Sequence, residues 1–156
     1  MFGLFGSDPF TDPVLGVLTR TGGSWRGLIP LPGHGAVEFR VAGDRKAPAA
    51  ASLEVARALS ARYEALREPI ARALFAHYEP YAESAASGPA DAGEHAPPAI
   101  ASVSEVWAHV SVPYVLVDAA HRDFDAEIAY EAAWDEEHTL AARLEADRFV
   151  ELCGSI

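Results

Sequence analysis

Apolar runs at 14–19 and 25–31 flank Thr21-Gly22-Gly23-Ser24, a composition suited to a tight reversal, and predict a β-hairpin. After Pro32-Gly33-His34-Gly35 the chain alternates. Val37, Phe39 and Val41 take one side and Glu38 and Arg40 the other, which predicts a third, half-buried antiparallel strand over 36–41. His34, in the turn, is expected to face solvent and is given no ligand role. From 49 to 81 the period changes: Leu53, Ala56, Leu59, Tyr63, Leu66, Ile70, Leu74 and Tyr78 recur at steps of three and four, the mark of one helix face. Arg57, Glu64, Arg67 and Glu68 fall on the opposite, solvated face. Pro69 interrupts the backbone hydrogen bonds without shifting the stripe's phase, so a kinked helix or two abutting helices are expected.

Residues 83–99 combine Gly88, Pro89, Gly93, Pro97 and Pro98 with small and acidic residues and show no apolar period, which predicts a flexible loop. Ser102 followed by Glu105 has the spacing of a reciprocal helix cap and predicts a short helix over 102–110. Residues 113–117 read as a strand buried on both faces, and 127–134, 139–145 and 148–152 as a meander joined by 135–138 and 146–147. In its first strand Ile128, Tyr130, Ala132 and Trp134 share a face opposite Glu127 and Glu131. The expected fold class is therefore α+β, with antiparallel β-meanders at both ends packed on one long, kinked central helix in a single domain over 1–156. The two meanders have the option of joining into one sheet.

A length of 156 residues, half of them hydrophobic, suits one core and not two. The formal net charge of -11 repels phosphate backbones and anionic lipid and favours basic partners, so neither nucleic acid nor membrane is expected as a ligand. The charge is uneven: residues 1–72 carry nine basic and seven acidic side chains, residues 73–156 three and 16. The first ten residues lack the basic-then-apolar order of a secretion signal, and the most apolar window, 100–120, is broken by Glu105, His109, Pro113 and Asp118, so it reads as core. The single cysteine, Cys153, cannot form an intramolecular disulfide and lacks the basic environment that activates a thiol. A cytoplasmic location is the expectation. Eleven arginines against one lysine associate with a bacterial genome of high GC content.

The densest polar cluster is Trp134-Asp135-Glu136-Glu137-His138-Thr139. Its carboxylates and imidazole are of the types that ligate a divalent ion, with Asp135, Glu137 and His138 as the metal candidates. In an extended strand Asp135 shares a face with Glu137, and Glu136 with His138, so one ion cannot use all four without donors from elsewhere. His138 beside Glu137 is also the best candidate pair for acid–base chemistry. The chain lacks a Gly-x-Ser-x-Gly turn and both phosphate-loop patterns, so hydrolase and nucleotide readings lose their usual basis, and no cofactor is called. Tyr78 and Tyr81, at the end of the helix stripe, are the aromatics expected to be exposed and to anchor a partner.

Trp25-Arg26-Gly27-Leu28-Ile29, the helix ending in His77-Tyr78, and the run Trp134-Asp135-Glu136-Glu137-His138-Thr139-Leu140 together resemble an uncharacterised family of small bacterial proteins classed as domains of unknown function. The resemblance spans most of 10–154 and implies an immunity-like, protein-binding role, with no catalytic residues to carry over. Three functional readings result. The first is a non-enzymatic domain that binds a basic protein through Trp134, Asp135, Glu136, Glu137, His138, Tyr78 and Tyr81. The second is a metal-dependent enzyme or metal-binding protein built on the 135–138 turn. The third is a homo-oligomer paired through exposed strands.

Overall fold

A computed structural model describes residues 6–88 and 96–154. Strands β1 (Phe10–Asp12), β2 (Gly16–Thr21), β3 (Ser24–Leu31) and β4 (Gly35–Val41) form the first meander. Helix α1 (Ala50–Ser87) follows, then a 3-10 turn (Val103–His109). Strands β5 (Val110–Ser111), β6 (Val115–Val117), β7 (Ala126–Ala132), β8 (Asp135–Glu145) and β9 (Arg148–Cys153) complete the chain. The two meanders join into one sheet in the order β1-β2-β3-β4-β6-β7-β8-β9, with β5 beside β7. The join is the parallel pair β4–β6, where Phe39, Arg40 and Val41 stand opposite Val115, Leu116 and Val117. A parallel pair needs a crossover, and α1 supplies it. The class is α+β.

The first reversal is a two-residue turn at Gly22-Gly23, both at positive φ, as a hairpin that follows the strand twist requires. The first predicted strand is displaced: Val14 and Leu15 belong to a turn, because the Asp12 carboxylate accepts both of their backbone N–H groups at 2.9 Å. That turn creates β1, which the apolar pattern did not indicate. Asp12 is buried and ion-paired with Arg57 of α1. The helix therefore reaches the first strand through a residue expected on its solvated face.

All eight stripe residues of α1 are buried. The helix is continuous through Pro69 and Pro80, and two abutting helices do not form. A helix-interior proline costs about 3 kcal/mol, whereas each fully buried Leu, Ile or Tyr of the stripe contributes about 1.5–3 kcal/mol, so packing outweighs the two breaks. Helix α1 runs on to Ser87, into the segment expected to be a loop, although residues beyond Ala82 are mostly exposed. Of the rest of that segment, 89–95 lie outside the described residues, and the part before Ile100 is tied down. The Tyr78 hydroxyl donates to the Pro98 carbonyl at 2.6 Å and accepts the Ile100 N–H at 3.1 Å. The predicted reciprocal cap is half made: Glu105 accepts the Ala101 N–H, one residue early, and Ser102 makes no capping bond.

His34 is not a solvated turn residue. It is half-buried, and its Nε2 lies 2.8 Å from the Tyr63 hydroxyl, which lies 2.8 Å from the Tyr130 hydroxyl. This chain links the β3–β4 turn, the middle of α1 and the centre of β7. Burial pushes Tyr63 up to about 12 and Tyr130 well above the usual phenol range, so both stay neutral. On the other side of β7 Glu127 is buried as well, paired with Arg143 of β8 at 2.8 Å, while Glu131 stays exposed.

Candidate functional site

The acidic run begins not as a loop but as the start of β8. Strand β7 ends at Ala132, the chain reverses through Ala133-Trp134, and Asp135 already pairs with Ala132. Thr139 pairs with Glu131, so Glu136, Glu137 and His138 are looped out as a bulge opposite a single step of β7. The alternation expected of an extended segment is lost there. Asp135 therefore meets His138, its third neighbour, with Oδ1 2.8 Å from Nδ1. The pairs expected from a regular strand, Asp135 with Glu137 and Glu136 with His138, are not the ones made.

Helix α1 completes the constellation. Tyr81 donates its hydroxyl hydrogen to Asp135 Oδ2 at 2.8 Å. Trp134 donates its indole N–H to His77 Nδ1 at 3.0 Å, which leaves the His77 proton on Nε2, 3.9 Å from Asp135 Oδ2. His77 and Tyr81 are four residues apart and so lie one above the other on the helix, ring centroids 5.4 Å apart. That spacing is the signal by which the sequence could have offered His77 as a member of the site.

Burial alone would raise the Asp135 carboxyl, but the hydrogen bonds from Tyr81 and His138 and the nearby imidazoles outweigh it and hold the group below its usual value. The same contacts, after burial, push the Tyr81 phenol up. His77 is pulled down by burial, with the Asp135 charge opposing and His138 reinforcing the shift. At neutral pH the site thus holds one carboxylate whose two oxygens are both engaged, above a neutral His77.

Two hollows flank the bulge. One, about 540 Å³, runs between the β5 strand with the end of the 3-10 turn and the bulge; Glu131, Glu136, Glu137, His138, His109 and Ser111 are among its lining residues. The other, about 370 Å³, lies on the helix side between Tyr81, Pro97 and Trp134. No arginine or lysine lines either hollow. Elsewhere in the second half of the chain four acids are ion-paired, Asp125 with Arg62, Glu127 and Glu151 with Arg143, and Glu145 with Arg148. Glu131, Glu136 and Glu137, which are exposed, make no ion pair among the described residues, so the cleft opens between three uncompensated carboxylates.

Of the residues singled out in sequence, Asp135, His138, Trp134 and Tyr81 are brought together with His77, and Glu136 and Glu137 stand exposed beside them. The expected exposure of Tyr78 and Tyr81 is corrected. Tyr78 and Trp134 are each only 5% exposed and pack ring to ring at 5.5 Å, while Tyr81 is half-buried. Their apolar bodies have more to gain from the helix–sheet seam than from water. Glu131 and His109 join the cleft without having been foreseen, because cross-strand pairing and not chain proximity puts them there. Among the described residues no group of three His, Cys, Asp or Glu side chains is placed to hold a metal ion. Cys153 is half-buried, and burial pushes its thiol up, away from the reactive thiolate. Among the same residues no helix is long and apolar enough to cross a membrane.

The family model described as Domain of unknown function (DUF6985) matches residues 14–155. No curated protein and no solved structure matches.

Proposed function

We propose that this chain, which belongs to the family of domains of unknown function DUF6985, is a non-enzymatic protein-binding domain that takes a basic segment of a partner into the acidic cleft beside the Asp135–His138 pair. The observation that carries the reading is the composition of that cleft: Glu131, Glu136 and Glu137 exposed along it, Asp135 buried beneath them, and no arginine or lysine among the lining residues. Uncompensated charge around a concavity raises the local concentration of a cationic ligand and speeds its encounter. Asp135 is not spent on the partner directly. Its role is to hold His138 and Tyr81 in fixed positions, so that the cleft is formed before the partner arrives.

The test is binding of a fluorescent eight-residue peptide of alternating arginine and glycine, followed by anisotropy at low and at moderate salt. The wild-type protein is expected to bind, and the affinity to fall with added salt. The variant Glu131→Gln/Glu136→Gln/Glu137→Gln should bind about tenfold or more weakly, whereas Asp8→Asn/Asp123→Asn/Asp147→Asn, with the same change in net charge at remote exposed sites, should bind within about twofold of wild type. Equal loss in both variants, or no binding at all, overturns the reading. Sedimentation of the protein alone, run beside it, distinguishes a cleft occupied by a second copy of the chain.

A further inference from the structure

A different part of the molecule carries an inference independent of the acidic cleft. Seven of the arginines, at 26, 40, 57, 62, 72, 143 and 148, are paired with carboxylates. Arg67 is not. Among the described residues its guanidinium makes no hydrogen bond or ion pair, and its Nε is fully covered with no acceptor. It is nevertheless held in place. Its Cζ lies 4.9 Å over the Trp107 ring, and its tip fills the space that a side chain on Gly33 would need, since a Cβ there would stand 2.6 Å from Nη2. A half-buried cation held against a ring and a glycine, with no ion pair among the described residues, is preorganised for an anion that can reach its Nη1–Nη2 end.

Such an approach exists. Arg67 lines a groove of about 870 Å³ between α1 and the 3-10 turn, with Trp107, Val103 and Ala71 as apolar wall and Ser102 and Ser104 as hydroxyl donors. Glu64 and Glu68 stand at the same groove, and only Glu68 is neutralised, by Arg72. This arrangement discriminates among anions. One carboxylate can take the Nη1–Nη2 end of the guanidinium in two parallel hydrogen bonds, whereas a phosphate or other multiply charged group meets the charge of Glu64 more strongly. The apolar wall asks for a hydrocarbon body behind the charge.

We propose that this groove is a binding site for a small monocarboxylic acid with an apolar body, held by Arg67 and seated against Trp107. The probes are phenylacetate, 4-phenylbutyrate and octanoate, each compared with its own primary amide, and inorganic phosphate, titrated into the protein by calorimetry with the Trp107 indole N–H signal followed by NMR. At least one acid is expected to bind and to shift that signal, about tenfold or more tightly than its amide, because the amide forgoes the charge-assisted pair. Arg67→Met should erase the preference for acid over amide. Glu64→Gln, which leaves Arg67 and the fold alone, should tighten the acid severalfold by removing the opposing charge. Failure of all three acids to bind, equal affinity for acid and amide, preference for phosphate, or an unchanged affinity in Glu64→Gln each overturns the proposal. The last holds even where Arg67→Met is too unstable to assay.

Discussion

Asp135 and His138 are three residues apart, yet their side chains meet at 2.8 Å because β8 loops out three residues where β7 advances by one. The pair exists only through the bulge, and the bulge is pinned by the Tyr81 hydroxyl of α1 on the other Asp135 oxygen. Asp135→Ala removes both acceptors and leaves the Tyr81 hydroxyl without its partner. The expected loss is about 1–3 kcal/mol in urea unfolding at neutral pH, with Tyr81→Phe costing less, about 1 kcal/mol. A loss in the double variant equal to the sum of the two would show that the contacts do not cooperate.

His77 gives the fold a pH dependence of defined sign. Its folded-state value lies below the ordinary 6.5, with burial as the main cause, and His34 is shifted the same way by burial and then by Arg67. The unfolded chain therefore takes up protons first. Stability is fully present above pH 6.5 and falls as the pH drops below it. Urea midpoints are expected to be lower at pH 5.5 than at pH 7.5, and His77→Gln, which cannot be protonated, should reduce the difference. A midpoint that rises on acidification over this range would contradict the buried, neutral imidazole.

A second acid transition belongs to Asp12. The hydrogen bond from Arg57, aided by the Val14 and Leu15 N–H groups and opposed by burial, lowers it from 3.8 to about 2. Its contribution is present above the unfolded value and is lost as the pH falls from about 4 toward 2. Asp12→Asn should be less stable than wild type at pH 6, and the gap should narrow toward pH 2. Circular dichroism during acid titration reads both. A gap that stays constant would place the value of Asp12 in its shape and not in its charge.

The chain His34–Tyr63–Tyr130 predicts a hierarchy. Tyr63 stands in the middle and Tyr130 at the end, both buried. Tyr63→Phe leaves the Tyr130 hydroxyl unsatisfied and should cost about 1–3 kcal/mol, whereas Tyr63→Phe/Tyr130→Phe should cost less than the sum of the two single changes, because the orphaned group is gone. Guanidinium unfolding of the three variants decides it.

Much of this was legible in the chain, for physical reasons that differ by element. Every residue of the stripe from Leu53 to Tyr78 is buried, with Ser52 and Ala71 beside it, since a helix presents its faces at a period set by backbone geometry. The Ala146-Asp147 reversal also stands where it was expected, with Ala146 at φ 50° and its N–H donated to Asp125. Asp135 and His138 were recognised as chemically promising, but paired with the wrong neighbours. A regular strand imposes a period of two, and nothing local to Glu136-Glu137-His138 announced that the period would be broken.

What the amino-acid order determined by itself was what periodicity governs: the α+β class, the long helix and most of the strands on either side of it, together with the likeness to a family of domains of unknown function and an acidic second half. What only the tertiary structure decided was which groups, distant in sequence, share a place. Tyr81 and His77 meet Asp135 and Trp134 across more than 50 residues, and Arg67 comes to rest on Trp107. Such contacts depend on how the helix seats on a sheet built from both ends of the chain. That seating is set by the summed packing of many side chains, and no single local signal records it.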